Sequence, residues 1–245
     1  LAAVPGIEDL SLSTNAVLLA PLAESLRDAG VRRLNISLDS LRPDRIDAIS
    51  RRPGCHTGIF AGLDAAERVG FEPIKINTVI MRGRNDDELE DFARATFDRP
   101  WHVRFIEVMP VGENLDVSAR EFVSAREMLD AVRAIGALHP VAGPAGNGPA
   151  TYFHYDGARG TVGVITPMSH NYCERCNRMR LTADGRLRPC LFGSIETNLR
   201  DPLRAGEPLA PLIERTLAIK PERHYLVQGS DAGSGGLLAL SQVGG

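Results

Sequence analysis

The sequence predicts an α/β fold, a barrel of repeated βα units around a parallel sheet, followed by a second module of helices and strands. Three observations support this prediction. β-type runs alternate with helical runs up to Met109, polar side chains recur on one face of the strands, and both patterns change after that residue. We therefore expect one domain over residues 1–112 and another over residues 113–245.

The elements of the first domain alternate along the chain. Strands are predicted over residues 9–14, 31–38, 73–81 and 103–109, and helices over residues 19–29, 43–49, 57–69 and 86–96. Gly30 and Gly70 follow two of these helices and are expected to end them.

Polar residues occupy alternate positions of three predicted strands, which places them on one face. They are Asn35 and Ser37, Lys75 and Asn77, and Arg104. A parallel sheet covered on both faces would be uniformly apolar, so a barrel lumen that binds a polar substrate explains this pattern best. Lys75 is the strongest indicator, because an unpaired ammonium in mid-strand is costly to bury.

Functional groups of barrels collect at the carboxyl ends of the strands. Thr14, Ser37 and Met109 fall at such ends. The alternative is structural: the two hydroxyls cap turns and the methionine fills the core.

The second module begins with a predicted helix over residues 121–135. A loop rich in glycine and proline over 142–150, a hairpin over 151–166, and helices over 197–205 and 208–219 follow.

Cys173, Cys176 and Cys190 have the spacing of metal ligands, and a hairpin turning at residues 183–185 would bring the third thiolate to the first two. A zinc ribbon would need a fourth ligand, for which His170 is the nearest candidate. A four-iron cluster on three thiolates would leave one iron open. The spacing does not separate these alternatives.

Five arginines crowd the same segment of a chain whose formal net charge is −3. Arg178 and Arg180 could bind a polyphosphate through their guanidinium forks, although solvated surface charge is the commoner role. Nucleic acid is disfavoured as a partner, because only 5% of the residues are aromatic.

The composition, 245 residues with 43% hydrophobic residues and no membrane-spanning run, is that of a soluble globular protein. Four cysteines, of which Cys55 stands alone, favour a reducing cytoplasm over a disulfide framework. The chain begins at Leu1 without a signal segment, and we expect it to be a piece of a longer protein.

Several motifs taken together resemble the radical S-adenosylmethionine GTP 3′,8-cyclase family of molybdenum cofactor biosynthesis, over essentially the whole chain. They are Ser13-Thr-Asn, Asn35-Ile-Ser-Leu-Asp-Ser, Lys75-Ile-Asn, Arg104-Phe-Ile-Glu-Val-Met-Pro, Cys173-x-x-Cys-Asn-Arg-Met-Arg-Leu-Thr-Ala-Asp-Gly, Cys190-Leu-Phe and Ser241-Gln-Val-Gly-Gly.

The resemblance implies an incomplete (β/α) TIM-type barrel that lacks its first strands, and a C-terminal α+β module with an auxiliary [4Fe-4S] cluster on Cys173, Cys176 and Cys190. It also implies a role for each matching residue. The GTP contacts are Thr14, Lys75, Arg178, Met179 and Arg180; the S-adenosylmethionine contacts are Ser37 and Met109; Arg104, Gly244 and Gly245 act in catalysis.

In the family, a deoxyadenosyl radical removes hydrogen from C3′ of GTP, and the carbon radical attacks C8 of guanine. The family's Cys-x-x-x-Cys-x-x-Cys motif, which binds a second [4Fe-4S] cluster, does not occur in these 245 residues. We therefore expect them to be inactive alone.

Further expectations concern partners. The resemblance implies cyclic pyranopterin monophosphate synthase as the next enzyme of the pathway and allows a homodimer. Alternative functions are a zinc-ribbon binding module and a different radical enzyme with an auxiliary cluster that acts on a peptide.

Overall fold

The computed structural model describes residues 1–110, 119–146 and 148–224. Its largest element is a seven-stranded mixed sheet in the order β1-β2-β3-β4-β7-β6-β5. The strands are β1 (Ser11–Thr14), β2 (Arg33–Ser37), β3 (Ile74–Ile80), β4 (Trp101–Glu107), β5 (Leu138–Val141), β6 (Thr151–Tyr155) and β7 (Thr161–Ile165).

The first four strands are parallel, as their alternation with helices predicts. β7 continues the parallel sheet beside β4, and β6 and β5 follow as antiparallel strands. The register puts Asn35 opposite Lys75 and Asn77 opposite Arg104, so the predicted polar face is confirmed. Closure of the sheet into a barrel stays a prediction.

Helices connect these strands and bury their apolar sides against the sheet, where the core contains Leu34, Ile36, Ile76 and Phe105. They are α1 (Ala23–Asp28), α2 (Pro43–Ser50), α3 (Cys55–Val69), α4 (Leu89–Asp98) and α5 (Ala125–Arg133), with short 3-10 turns at Ala20–Leu22 and Asp86–Glu88. α3 ends at Gly70, whose φ of 80° confirms the predicted C-cap. α5 begins later than predicted, because Ser124 and Glu127 form a capping box.

The turn after β1 is held against α3 by close backbone contact. A Cβ on Gly62 would lie 2.4 Å from the carbonyl oxygen of Ala16, and one on Gly58 would lie 2.7 Å from that of Val17. Only glycine at these two positions lets the helix approach the turn so closely. The position of Thr14, at the end of β1, is thereby tied to the helix.

The cysteine-containing part of the chain forms a small antiparallel sheet of β8 (Arg180–Leu181), β9 (Arg186–Arg188) and β10 (Thr197–Asn198). The predicted hairpin at residues 183–185 is confirmed, with Gly185 at φ 82°. The prediction of a helix over 197–205 is wrong at its start, because Thr197 and Asn198 pair with β9. Helices α6 (Arg200–Arg204) and α7 (Ala210–Ala218) follow.

The chain forms two compact units. The first comprises residues 1–108 and 122–166, and the second comprises residues 109–121 and 167–245. This division differs from the boundary expected at residue 112, because β5 to β7 extend the sheet of the first unit. No helix within the described ranges combines the length and apolar character needed to cross a membrane.

Candidate functional site

Cys173, Cys176 and Cys190 line one small cavity of the second unit, of about 60 Å³. The first two lie on a 3-10 turn, in which the Cys176 backbone N–H donates to the Cys173 carbonyl at 3.0 Å. The β8–β9 hairpin then returns the chain, so that Cys190, two residues after β9, reaches the same cavity. All three are free thiols. Local structure thus brings together the residues that the spacing singled out.

The chemistry of this donor set suits an iron–sulfur cluster, because thiolates are its usual ligands and three of them leave one iron open. In the described residues, however, no three His, Cys, Asp or Glu side chains are arranged closely enough to hold a metal ion. The three thiols share a cavity without forming a finished ligand set.

An imidazole also lines the cavity, but it is not the one expected from the sequence. His170 is exposed, and its Nδ1 lies 3.2 Å from the Ser169 hydroxyl. His224 lines the cavity, and its Nε2 donates to the Pro167 carbonyl at 3.0 Å. The bond to a carbonyl assigns the proton to Nε2, so that in the neutral ring Nδ1 is an acceptor, buried and without a hydrogen-bond partner.

Two guanidinium groups complete the lining. Arg178 lies over the ring of Tyr172 at 5.1 Å, and Arg180 lies on β8. Burial, and next the charge of Arg178, lower the pKa of Arg180. Two neighbouring cations in a partly buried site repel each other, and an anionic ligand would relieve that repulsion. Met179 between them is half-buried.

The polar face of the first unit is organised around Arg104, which is 6% exposed. Its Nε donates to Asn77 Oδ1 and its Nη2 to Asn35 Oδ1, both at 2.7 Å. The three side chains come from three adjacent parallel strands, which the register places side by side. Sequence alternation predicted this group correctly.

Lys75 lies on the same face and is 2% exposed. Its Nζ donates to the Ala145 carbonyl at 2.6 Å. Burial, and then the charges of Arg104 and Arg33, lower the pKa of Lys75 to about 8. The adjacent His102, which sequence reasoning missed, has its pKa lowered to about 4 by burial and by Lys75 and Arg104. This face therefore concentrates positive charge that a bound anion would stabilise.

The contacts of the residues predicted at strand ends do not assign them to a binding site. Thr14 Oγ1 accepts a hydrogen bond from the Ala16 backbone N–H at 3.0 Å, as a turn cap does. Ser37 is exposed and lines a cavity of about 370 Å³ together with Asn15 and Asp39. Met109 is half-buried and belongs to the second unit. Gly244 and Gly245 lie outside the described residues.

Comparison with known proteins bears on what these sites do. Residues 1–96 match the family model of the Radical SAM superfamily, and residues 101–226 match that of Molybdenum Cofactor Synthesis C. The GTP 3′,8-cyclase of Moorella thermoacetica is 47% identical over the whole of this chain, which covers 75% of that protein. The chain belongs to the GTP 3′,8-cyclase family.

Two more relatives of the same name agree with this assignment. That of Pelotomaculum thermopropionicum is 48% identical over 92% of this chain, which covers 70% of the relative. That of Trichormus variabilis is 45% identical over the whole chain, which covers 76% of the relative. As a member of this family, the chain is a radical SAM enzyme of molybdenum cofactor biosynthesis, and the cysteine cavity falls in the part that matches the molybdenum cofactor model.

Proposed function

We propose that the second unit holds a [4Fe-4S] cluster on Cys173, Cys176 and Cys190 and binds GTP beside it. The reaction is the conversion of GTP to 3′,8-cyclo-7,8-dihydroguanosine 5′-triphosphate. One observation carries the proposal: three thiols and two guanidinium groups line the same cavity. Thiolates suit iron and guanidinium forks suit phosphate oxygens, so the cavity combines the two chemistries that the reaction requires.

When bound, the cluster would offer an open iron to the base, and S-adenosylmethionine would supply the radical. The contribution of this chain is to bind and orient the nucleotide. Arg178 and Arg180 would bind the triphosphate. The remaining roles rest on the family resemblance: Thr14, Lys75 and Met179 as further GTP contacts, Ser37 and Met109 as S-adenosylmethionine contacts, and Arg104, Gly244 and Gly245 in catalysis.

A zinc site is the second candidate, and the presence of His224 in the cavity favours it. Three thiolates and one imidazole are a common zinc ligand set. Such a site would be closed and would serve structure rather than catalysis. The test of the cluster must therefore separate iron from zinc.

Anaerobic reconstitution with iron, zinc and sulfide together, followed by metal analysis and visible absorption, separates the two. We expect a brown protein with about four iron atoms per chain. A colourless protein with one zinc would contradict the cluster and support the ribbon. Replacement of His224 by alanine should leave the iron content unchanged if the three thiolates suffice.

Calorimetric titration of the iron-loaded protein with GTP tests the nucleotide site. We expect Arg178→Ala and Arg180→Ala each to weaken GTP binding about tenfold or more, because each removes a charge-assisted contact worth about 1.5–3 kcal/mol. Arg175→Ala is the matched control, since that side chain is exposed, lies on the turn of the paired cysteines and does not line the cavity. Equal losses in all three variants would indicate general attraction and would contradict a specific triphosphate site.

Other expectations depend on the pathway. Cyclic pyranopterin monophosphate synthase would act on the product, and a homodimer is the assembly that the family allows. We place the protein in the cytoplasm, where a reducing environment would keep its free cysteines available for iron.

A further inference from the structure

Lys220 bonds to both segments that carry the cluster cysteines. It lies just after α7, and its Nζ donates to the carbonyls of Arg178 at 2.5 Å and Pro189 at 2.8 Å. The third contact of the ammonium is Cys176 Sγ at 3.7 Å, within range of an N–H···S hydrogen bond. An ammonium has three N–H donors, and here each has an acceptor.

The two carbonyl acceptors belong to the two chain segments that carry the cysteines. The Arg178 carbonyl follows Cys176 by two residues, and the Pro189 carbonyl directly precedes Cys190. One half-buried side chain therefore joins the paired cysteines to the third cysteine, independently of any metal.

The composition of the chain makes this residue unusual. Only two of the 28 Lys and Arg residues are lysines, Lys75 and Lys220. Arginine spreads its charge over a planar fork, whereas lysine offers a compact charge with three donors that turn freely. A pocket bounded by two carbonyls and one sulfur suits the second geometry.

We propose that Lys220 is a positioning residue that sets the reduction potential of the auxiliary cluster, by holding the cysteine segments together and donating a hydrogen bond to a ligand sulfur. The inference rests on the proposed cluster of this site. Cluster potentials depend on net charge and on hydrogen bonds to sulfur. A nearby positive charge stabilises the reduced cluster, which carries the more negative charge, so Lys220 raises the potential.

The test is an anaerobic redox titration of the iron-loaded 245-residue protein, followed by electron paramagnetic resonance. Lys220→Met, which removes both the charge and the donors, should lower the reduced-to-oxidised ratio at a fixed potential about tenfold, or ~59 mV for a one-electron couple. Lys220→Arg should recover part of this shift, since it restores the charge but not the geometry of the ammonium. Arg215→Met removes an exposed cation of α7 and should leave the potential unchanged.

A second measurement detects the hydrogen bond itself. In resonance Raman spectra, transfer from water to deuterium oxide should shift an iron–cysteine stretching band of the unaltered protein. Lys220→Met should lose this shift and Arg215→Met should keep it, whereas an identical isotope shift in both would overturn the proposal.

Several outcomes distinguish this inference from the proposed function. If the protein takes up zinc alone, both fail. If it binds iron and GTP but Lys220→Met keeps the original potential, only the inference fails. If Lys220→Met binds no iron, Lys220→Gln replaces it in the titration. If neither neutral variant takes up iron while Lys220→Arg and Arg215→Met take it up normally, the result supports the positioning role.

Discussion

Lys75 is an ammonium held among like charges. It lies beside Arg104 and Arg33 on the polar face of the sheet, and its pKa of about 8 follows from burial and from those two cations. Its charge therefore changes in a pH range in which both arginines and the phosphates of GTP keep theirs. The difference between the pH profiles of the unaltered protein and of a Lys75 variant can therefore isolate the contribution of this one residue.

If Lys75 contacts the triphosphate, the affinity for GTP should fall by up to about tenfold per pH unit above pH 8, because the free protein loses the proton that the complex needs. Lys75→Arg should remove this fall, since its guanidinium stays protonated. Lys75→Met should bind GTP more weakly at pH 7 and without the step. Calorimetric titrations between pH 7 and 10 measure this, and a profile of Lys75→Met that matches the unaltered protein would contradict the contact.

The same shift has an effect on stability, with a definite sign. The unfolded chain keeps the Lys75 proton up to its ordinary pKa of 10.5, whereas the folded chain loses it near pH 8. Between these values the unfolded state binds more protons, so this residue makes the free energy of unfolding rise with pH.

Residues marked by a local periodic pattern were easier to predict than residues that belong to no such pattern. Alternation along β2, β3 and β4 identified Asn35, Asn77 and Arg104 because side chains in strands have a strict period of two. The sequence did not identify Lys220 and His224 as site residues. More than 40 residues separate them from Cys176, and only tertiary structure brings them to the cavity. The one sequence signal for Lys220 was the rarity of lysine, which occurs twice in the whole chain.

At the scale of elements, the β6–β7 hairpin is fixed by a close approach of backbones. Gly160 is buried, its N–H donates to the Thr96 carbonyl at 2.9 Å, and a Cβ would lie 1.9 Å from the Trp101 carbonyl oxygen. Backbone atoms cannot yield as the end of a side chain can, so the strand itself would have to move.

We therefore expect Gly160→Ala to lower the free energy of unfolding by about 3 kcal/mol or more. Gly157→Ala in the same hairpin is the control, with φ of 81° but open space around its Cβ, and should cost about 1 kcal/mol. Urea unfolding followed by the fluorescence of Trp101, the chain's single tryptophan, measures both. A loss at Gly160 no larger than the loss at Gly157 would contradict the steric role of the contact with the Trp101 carbonyl.

Long periodic segments were predicted well as elements, whereas the two-residue strand β10 was not. The helices α3 and α4 and the strands β3 and β4 are confirmed, because apolar periodicity extends through each. The two-residue strand β10 was assigned to a helix, since two residues carry no period and their strand character comes from pairing with Arg186 and Leu187. The boundary at residue 112 differs from the observed units for a similar reason: pairing of β7 with β4 is not visible in composition.

At the scale of the molecule, each of the two compact units contains a different group whose signal can be measured. Trp101 lies in the first unit and the three cysteines lie in the second. Binding of the cluster would stabilise the unit that contains the cysteine ligands, because the free energy of binding adds to the stability of that unit.

We expect iron loading to slow amide hydrogen exchange in residues 173–190 at least tenfold while exchange in β3 stays the same, as measured by mass spectrometry. The metal-free protein with the three cysteines changed to serine is the control and should show no response to iron and sulfide. Equal slowing in β3 would mean that the units open together.

The scarcity of lysine has a practical use. An acylating reagent finds only two side-chain amines in the chain, one on the polar face of the sheet and one beside Cys176. Lys75 is buried and Lys220 is half-buried, so the labelling rate of each amine would report how readily its surroundings open. Digestion and mass spectrometry would measure both rates in a single experiment. Protection at one amine by nucleotide, and at the other by iron, would report the occupancy of each place without any substitution in the protein.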